Sequence, residues 1–270
     1  MTRKIIINVF KYLALCVLVV MAIGPLFYML NTSMQETSLV MGAAEPEYTI
    51  FNYIKLITQM PFLRWMLNSL IFAGSVVILI IFIDTLAGYA LARYRFAGRG
   101  IIFGLILASM MLPMAVLLFP LFFIVLKMGL IDTYPGLILP LLAPPFGIFL
   151  MRQFMLTIPL EIIDAAKIDG CSEFGVLYRI IFPLVRPAQA ILAIVVFLST
   201  YSNFIWPLIV IKNRDMFTLT LGLARIPTEE IIDWGLVAAG SFLTMVPLII
   251  VFLIFQKQFM EALTRGAVKG

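Results

Sequence analysis

Six stretches of this sequence are long, apolar and free of charged residues. They cover residues 12–35, 65–83, 100–126, 133–151, 187–211 and 234–256. Each stretch is 19 to 27 residues long, and a helix needs ~20 mainly apolar residues to cross the hydrocarbon core of a bilayer. Their apolarity is continuous, which favours helices over the alternating strands of a membrane barrel. The pattern predicts an all-α membrane protein with six transmembrane helices, in a single membrane domain over residues 1–270.

The amino-acid composition supports a membrane location and excludes several kinds of chemistry. Hydrophobic residues make up 63% of the chain and charged residues 12%, whereas soluble domains carry about 25% charged residues. The sequence contains no histidine, which excludes imidazole as a general base or a metal ligand. Its two cysteines cannot form a disulfide framework. The composition therefore excludes a soluble or disordered chain and every enzyme that depends on histidine.

The distribution of lysine and arginine predicts how the helices are oriented in the membrane. If the N-terminus lies in the cytoplasm, 13 of the 19 basic residues fall in cytoplasmic segments and 6 in outer segments. Cytoplasmic loops of membrane proteins carry such an excess of basic residues. The asymmetry predicts a multi-pass protein with both termini on the cytoplasmic side. The net charge of +5 is then a signal of topology, and we expect no nucleic-acid partner.

The longest predicted cytoplasmic connection, residues 157–185, has the pattern of two short helices joined by a turn. Glu161 and Asp164 lie in the first turns of the first helix, where the helix dipole favours acidic residues. Gly170 is typical of a helix end, and Ser172 is typical of an N-cap. The second helix has an apolar face made of Phe174, Leu177, Tyr178, Ile181 and Phe182. Such a segment fits either the lipid interface or a docking site for another protein.

Several motifs in the sequence resemble those of one family of transport proteins. Residues 164–170 read D-A-A-K-I-D-G and are followed by F-P at 182–183. This resembles the EAA loop of binding-protein-dependent ABC importer permeases, which typically reads E-A-A-x-x-D-G. The stretches at 89–96, 135–140 and 263–270 also resemble motifs of this family, including Y-A-L-A-R and G-A-V-K-G. The resemblance is strongest to the carbohydrate-importer branch, and it covers nearly the whole chain.

The resemblance implies a type I ABC importer permease fold, with a core of helices 2 to 6 over residues 66–256. It also implies a bacterial inner-membrane complex with a second homologous permease, two ATPase subunits and an extracytoplasmic solute-binding protein. Residues 157–185, called the coupling segment below, would then connect this chain to an ATPase subunit. The residues implied in that contact are Glu161, Asp164, Ala165, Ala166, Asp169 and Gly170.

The sequence is consistent with a chain that does not itself hydrolyse ATP. It contains no G-x-x-x-x-G-K-[ST] loop, the element that cradles nucleotide phosphates in many ATPases. We therefore expect ATP and Mg²⁺ to bind to the partner ATPase subunits and this chain to bind no cofactor or metal. The prediction is a transport subunit and not an enzyme.

A polar run over residues 199–203 interrupts the fifth apolar stretch. Polar groups within the membrane usually face a cavity or a partner helix. In a continuous helix, Thr200, Asn203 and Pro207 would lie along one side. The predicted substrate-pathway residues are Thr200, Tyr201, Asn203, Phe204 and Trp206. The alternative is that these side chains join neighbouring helices by hydrogen bonds. Many family members carry W-N-[ED]-F-x-x-P here, whereas this chain reads Y-S-N-F-I-W-P, which leaves the substrate open.

The second predicted span continues beyond its charge-free stretch to about Ala92, so Asp84 is the charged residue that falls inside a predicted span. One hypothesis makes it the coupling site of a secondary transporter driven by an ion gradient. The other pairs it with a cation on a partner permease, or hydrates it beside an aqueous pathway. We favour the second hypothesis because the spans contain no second acid and the chain no histidine for a proton relay.

Prolines well inside the third and fourth apolar stretches predict irregular helices. They are Pro113, Pro120, Pro140, Pro144 and Pro145. Proline lacks the N–H that an interior helix position needs, and its ring clashes with the preceding turn. We therefore expect these two helices to be kinked or broken.

Overall fold

The computed structural model describes residues 2–35, 48–226 and 233–267, with side chains described for 6–35, 48–226 and 233–256. Within these ranges the chain forms helices and loops without a β-strand, and one isolated backbone bridge joins Gln35 to Tyr48. The C-terminal motif at 263–270 falls among residues whose side chains, or whose entire placement, lie outside the described part of the chain. The predicted all-α fold is confirmed.

The α-helices follow one another along the chain with short connections. They are α1 (Thr2–Ser33), α2 (Phe51–Gln59), α3 (Phe62–Arg93), α4 (Arg99–Ser109), α5 (Met114–Lys127), α6 (Tyr134–Ile138), α7 (Pro145–Leu156), α8 (Leu160–Ile168), α9 (Glu173–Val176), α10 (Phe182–Leu184), α11 (Arg186–Tyr201), α12 (Ile205–Val210), α13 (Leu219–Arg225) and α14 (Trp234–Ala267). Short 3₁₀ turns at Leu139–Leu141 and Arg214–Met216 and a π-helical turn at Leu177–Ile181 complete the described helical structure.

Among the described residues, three helices are long and apolar enough to span a membrane alone. They are Ile6–Ser33, Phe62–Arg93 and Trp234–Gln256. Three bent pairs bring the number of candidate spans to six. α4 and α5 meet at 105°, the chain from α6 and its 3₁₀ turn meets α7 at 50°, and α9 to α10 meet α11 at 70°. The first two pairs match the predicted third and fourth spans. The third pair joins the second helix of the coupling segment to α11 and does not match the predicted span 187–211, which α11 and α12 cover with a break between them.

Proline explains two of the breaks. Pro113 occupies the N-cap of α5, and Pro144 and Pro145 occupy the N-cap and first position of α7. The first turn of a helix tolerates proline because an N–H there has no intrahelical partner. Pro120 remains inside α5, so the predicted break does not occur at that position.

The core forms where α3 crosses α7 and α11. At the crossing with α7 the backbones approach so closely that only glycine fits: a Cβ on Gly88 would lie 2.7 Å from the Met151 Cβ and 2.9 Å from the Arg152 nitrogen. Most of the buried residues around the crossing are apolar, among them Phe72, Val76, Ile80, Met151, Met155, Leu192 and Val196. A second apolar cluster, around Trp65 and Tyr201, joins α3 and α11 to α13 and α14.

The two ends of α3 contact different sets of loops. Near its beginning, the indole N–H of Trp65 donates to the carbonyl of Arg214, and the Asn68 amide donates to the carbonyls of Asp215 and Phe217. At its other end, the Arg93 guanidinium donates to backbone carbonyls at the start of the coupling segment. The loop after α12 and the coupling segment therefore lie at opposite ends of this span.

Asp132 ties the loop after α5 to the loop after α12. Its backbone has a φ of +59°, and its carboxylate accepts hydrogen bonds from the N–H groups of Lys212 (2.5 Å) and Asn213 (2.8 Å). Its own N–H donates to the Val210 carbonyl at 3.1 Å. One side chain thus joins two connections that are about 80 residues apart in sequence, as its bonds to residues 212 and 213 show.

We expect Asp132→Ala to lower the free energy of unfolding by about 1–2 kcal/mol, because it removes a charged acceptor from two backbone donors. The thermal unfolding midpoint of the purified protein measures the change. Asp132→Asn is the matched control, since it keeps one side-chain oxygen and tolerates a positive φ, and its loss is expected to be smaller. Equal midpoints for wild type and Asp132→Ala would contradict this role.

Candidate functional site

The coupling segment has the helix, turn and helix that the sequence predicts. α8 begins after Pro159 and carries Glu161 in its first turn. Gly170 follows with a φ of +84°, a conformation that favours glycine. The Ser172 hydroxyl then accepts a hydrogen bond from the Gly175 N–H at 3.2 Å, which caps α9. These local signals fix the two arms of the segment on either side of a tight turn.

A π-helical turn continues the second arm beyond α9. Residues Leu177–Ile181 form this turn, and α10 extends the arm to Leu184. Pro183 fits because it lies in the first turn of α10. Leu177 and Ile181 are buried, whereas Phe174 and Tyr178 are exposed, so the predicted apolar face is only half packed. The prediction of a second helix is confirmed. The predicted apolar face is only partly right because it was derived for a regular α-helix, and a π-helical turn changes which side chains share a face.

Five of the six predicted coupling residues lie on the exposed surface of the segment. They are Glu161, Asp164, Ala165, Asp169 and Gly170. Ala166 is the exception, because it is buried with Ile163 in the core of this chain. Ala166 therefore holds α8 against the rest of the molecule and is not placed to meet another protein.

Two exposed apolar side chains lie at the turn, and the sequence pattern predicts an apolar face only for Phe174. Ile168 is 86% exposed and Phe174 is 70% exposed, and they flank Gly170. A cavity of about 560 Å³ opens beside the turn and is lined by Asp169, Gly170, Phe174 and Tyr178 among others. The available signal was the position of Ile168 between Lys167 and Asp169, out of register with the buried residues of α8. The turn thus exposes the apolar side chains of Ile168 and Phe174 beside the carboxylate of Asp169.

A polar network connects the two arms to the end of α3. The Lys167 ammonium pairs with the Glu173 carboxylate at 2.6 Å, and the Tyr94 hydroxyl donates to the same carboxylate at 2.9 Å. The Lys167 hydrogen bond holds the pKa of Glu173 below its usual range, and the same bond raises the pKa of Lys167. Burial and the bond to Glu173 raise the pKa of Tyr94 to about 12. Lys167 and Glu173 therefore stay charged around neutral pH, and Tyr94 stays protonated and can donate its hydrogen bond.

Three of the predicted pathway residues are buried inside this chain. Thr200, Tyr201 and Trp206 are each at most 5% exposed. Tyr201 stacks on Phe197 with ring centroids 5.4 Å apart, and the Trp206 indole donates to the Leu137 carbonyl at 3.2 Å. These contacts serve the packing of the subunit in the conformation described.

The chain breaks between α11 and α12, over residues 202–204. The predicted alignment of Thr200, Asn203 and Pro207 along one helix face is therefore wrong. The physical reason is that the side-chain Oδ1 of Asn203 accepts from the Trp206 N–H at 3.1 Å, so that Asn203 satisfies a donor in the first turn of α12 and does not extend α11. Asn203 and Phe204 are partly exposed, and Ser202 is exposed. The exposed polar groups of this region therefore belong to the break over residues 202–204 and not to one face of a helix.

Asp84 is fully enclosed by this chain. Its exposed fraction is 0%, and its Oδ2 atom lies so close to Gly147 of α7 that a Cβ there would be 1.8 Å away. Within the described residues, neither carboxylate oxygen has a hydrogen-bond partner. The carboxylate is closed off from the surface of this chain in this conformation, so it does not present itself to a cation on a partner permease. The described residues also contain no group of three or more His, Cys, Asp or Glu side chains that could hold a metal ion.

The sequence matches one protein family over residues 84–265, that of the binding-protein-dependent transport system inner membrane component. This chain belongs to that family. The match includes the whole coupling segment and all but the first two candidate spans. The family supports a permease subunit of an ABC importer, and it does not support a transporter coupled to an ion gradient through Asp84.

Relatives and a solved structure agree with this assignment. The chain is 40% identical over 223 residues to the arabinooligosaccharides transport system permease protein AraQ of Halalkalibacterium halodurans, which covers 82% of this chain and 80% of that protein. It is 31% identical over 254 residues to the diacetylchitobiose uptake system permease protein NgcG of Streptomyces coelicolor. That match covers 92% of this chain and 84% of NgcG.

The fold is similar to that of a chain in the crystal structure of a bacterial ABC transporter involved in the import of the acidic polysaccharide alginate. The TM-score is 0.84 at 19% identity, and the match covers 95% of this chain and 98% of that chain. The predicted type I permease fold is confirmed by this similarity. The chain is accordingly a multi-pass membrane permease. Its relatives are transport permease subunits and not enzymes.

Proposed function

We propose that this chain imports a sugar or a related polar solute across the bacterial inner membrane, as one of two permeases that together form the pathway. Two ATPase subunits bind ATP and Mg²⁺, and an extracytoplasmic protein delivers the solute. The observation that carries the proposal is the exposed helix–turn–helix with its EAA-type pattern, in a chain whose relatives include permeases for arabinooligosaccharides and diacetylchitobiose.

The surface of the coupling segment favours a protein partner over the lipid interface. Segments that lie on a membrane are typically rich in Lys and Arg, because the inner leaflet is negatively charged. Here the exposed face of α8 carries Glu161 and Asp164, and Asp169 follows at the turn. Ile168 and Phe174 are exposed beside these carboxylates. A cleft in a folded protein could bury the two apolar side chains and supply basic groups that pair with the acids.

The ends of α3 support the proposed orientation. The coupling segment lies at one end of this span and the loop after α12 at the other. With the coupling segment in the cytoplasm, the loops that Asp132 joins face outward, where the solute-binding protein docks. Both termini then lie in the cytoplasm.

The break over residues 202–204 supports a solute pathway beside α11. Irregular backbone at membrane depth is tolerated only where it is buried in protein or lines a water-filled cavity. Ser202 is exposed, and Asn203 and Phe204 are partly exposed, so the break is open on one side of this subunit. We assign that side to the cavity shared with the second permease. An amide, a hydroxyl and an aromatic ring are groups that can contact a sugar.

The composition of the native complex tests the proposal. The chain would be tagged at its N-terminus and purified from its own membrane in a mild detergent, and the subunits would be identified and counted. We expect one copy of this chain, one second permease and two ATPase subunits. A complex that contains this chain without any ATPase subunit would contradict the proposal.

A further inference from the structure

Two adjacent residues at the end of α3 hold both arms of the coupling segment. The Arg93 guanidinium donates to the backbone carbonyls of Met155 and Ile158, at the approach to α8. The Tyr94 hydroxyl donates to the Glu173 carboxylate at 2.9 Å, at the start of α9. α3 therefore contacts the segment before and after its turn, although 60 or more residues separate the partners in sequence.

Glu173 is the branching point of this connection. It pairs with Lys167 at 2.6 Å, which bridges α8 to α9 across the glycine turn. Tyr94 is itself fixed, because its ring packs edge-on against Tyr89 at 5.7 Å and the Arg99 guanidinium donates to its carbonyl at 3.0 Å. The Glu173 carboxylate thus connects the first helix of the segment, the second helix and the end of α3.

We propose that Tyr94 and Glu173 are positioning residues that transmit movement of the coupling segment to α3. The inference rests on the proposed function, in which an ATPase subunit moves the segment. α3 also meets the segment through Arg93 and through the packing of Phe82 against Tyr178 and Phe182, and covalently the segment continues into α7 and α11. The Tyr94–Glu173 hydrogen bond adds a direct connection to the span that crosses both of them.

Two conservative substitutions test this connection in the importer reconstituted with its ATPase subunits and binding protein. Tyr94→Phe removes the hydroxyl and keeps the ring on Tyr89, and Glu173→Gln keeps the shape and removes the charge. Each is expected to lower solute uptake per ATP hydrolysed roughly fivefold, the effect of losing one typical hydrogen bond. The amount of assembled complex and the KM for the solute are expected to stay at the wild-type values.

Tyr12→Phe is the matched control for the loss of a hydroxyl. Tyr12 lies on α1, outside the coupling segment, it is exposed, and its hydroxyl makes no hydrogen bond to a described residue. Uptake per ATP is expected to remain at the wild-type value in this variant.

A charge exchange separates positioning from a merely structural role. Lys167→Glu and Glu173→Lys are each expected to lower uptake per ATP, because each places like charges across the turn. The double variant restores the ion pair, and the new ammonium can donate to the Tyr94 hydroxyl. Uptake per ATP is expected to recover to within about twofold of wild type, since one charge-assisted contact replaces another.

Wild-type uptake per ATP in both Tyr94→Phe and Glu173→Gln would overturn the inference, as would a double exchange that performs no better than its single variants. If ATPase subunits still assemble with these variants, the proposed function stands and only the transmission role fails. A wild-type complex without ATPase subunits would overturn both.

Discussion

Replacing Gly170 with tryptophan should abolish ATP-driven uptake while the chain still inserts and folds. Gly170 is exposed at the tip of the coupling segment, and no atom lies within 4 Å of the position that a Cβ would occupy. An indole there has room in this chain but projects into the surface that the ATPase subunit would cover. Overpacking of that contact costs about 1–3 kcal/mol, so uptake by the reconstituted complex is expected to fall about tenfold or more.

Gly98 provides a matched control for the Gly170 variant. It has the same φ of +84° and equally open surroundings, but it lies in the connection between α3 and α4, outside the coupling segment. Gly98→Trp therefore introduces the same bulk and the same backbone strain, and uptake is expected to stay within about twofold of wild type. Equal losses in the two variants would show that backbone strain, and not a blocked contact, causes the defect.

Replacing Gly88 with alanine should prevent the chain from folding stably. A Cβ at this position would lie 2.7 Å from the Met151 Cβ and 2.9 Å from the backbone nitrogen of Arg152. Because the obstructing atoms belong to the backbone of α7 or adjoin it, side-chain rotation cannot relieve the clash. We expect the free energy of unfolding to fall by about 3 kcal/mol, at the upper end of overpacking effects. The thermal unfolding midpoint and the yield of monodisperse protein in detergent measure the change.

Gly74 serves as the internal control on the same helix. It also lies within α3, but no atom comes within 4 Å of its Cβ position. Gly74→Ala is expected to leave the midpoint unchanged or raise it slightly, because alanine is the better helix former. A Gly88→Ala protein as stable as Gly74→Ala would show that α3 and α7 do not cross as closely as described.

The helices and the turn of the coupling segment could be predicted because their signals are local. Charge-free length marks each span, and Gly170 and Ser172 mark a helix end and a helix start regardless of what surrounds them. The bends were only partly predictable. Pro113 breaks its helix and Pro120 does not, since the outcome depends on whether neighbouring groups satisfy the freed carbonyl.

The roles of single side chains were less predictable because they depend on contacts that are distant in sequence. Ala166 belongs to the EAA-type motif, but the packing of α8 turns it into the core. Asn203 suggested a pathway-lining helix face, but it caps α12 after the chain breaks. Glu173 has no signal in the sequence beyond its place after Ser172, because its bond to Tyr94 joins positions 79 residues apart. Side chains of this kind carry no periodic signal in the sequence.

ATP-driven uptake by proteoliposomes tests the proposed function most directly. The complex purified with this chain would be reconstituted, supplied with its solute-binding protein and labelled oligosaccharide, and assayed with ATP, with a non-hydrolysable analogue, or with a proton or sodium gradient alone. We predict uptake that requires hydrolysable ATP and persists when ion gradients are collapsed. Uptake by this chain without ATPase subunits, driven by an ion gradient, would contradict the account.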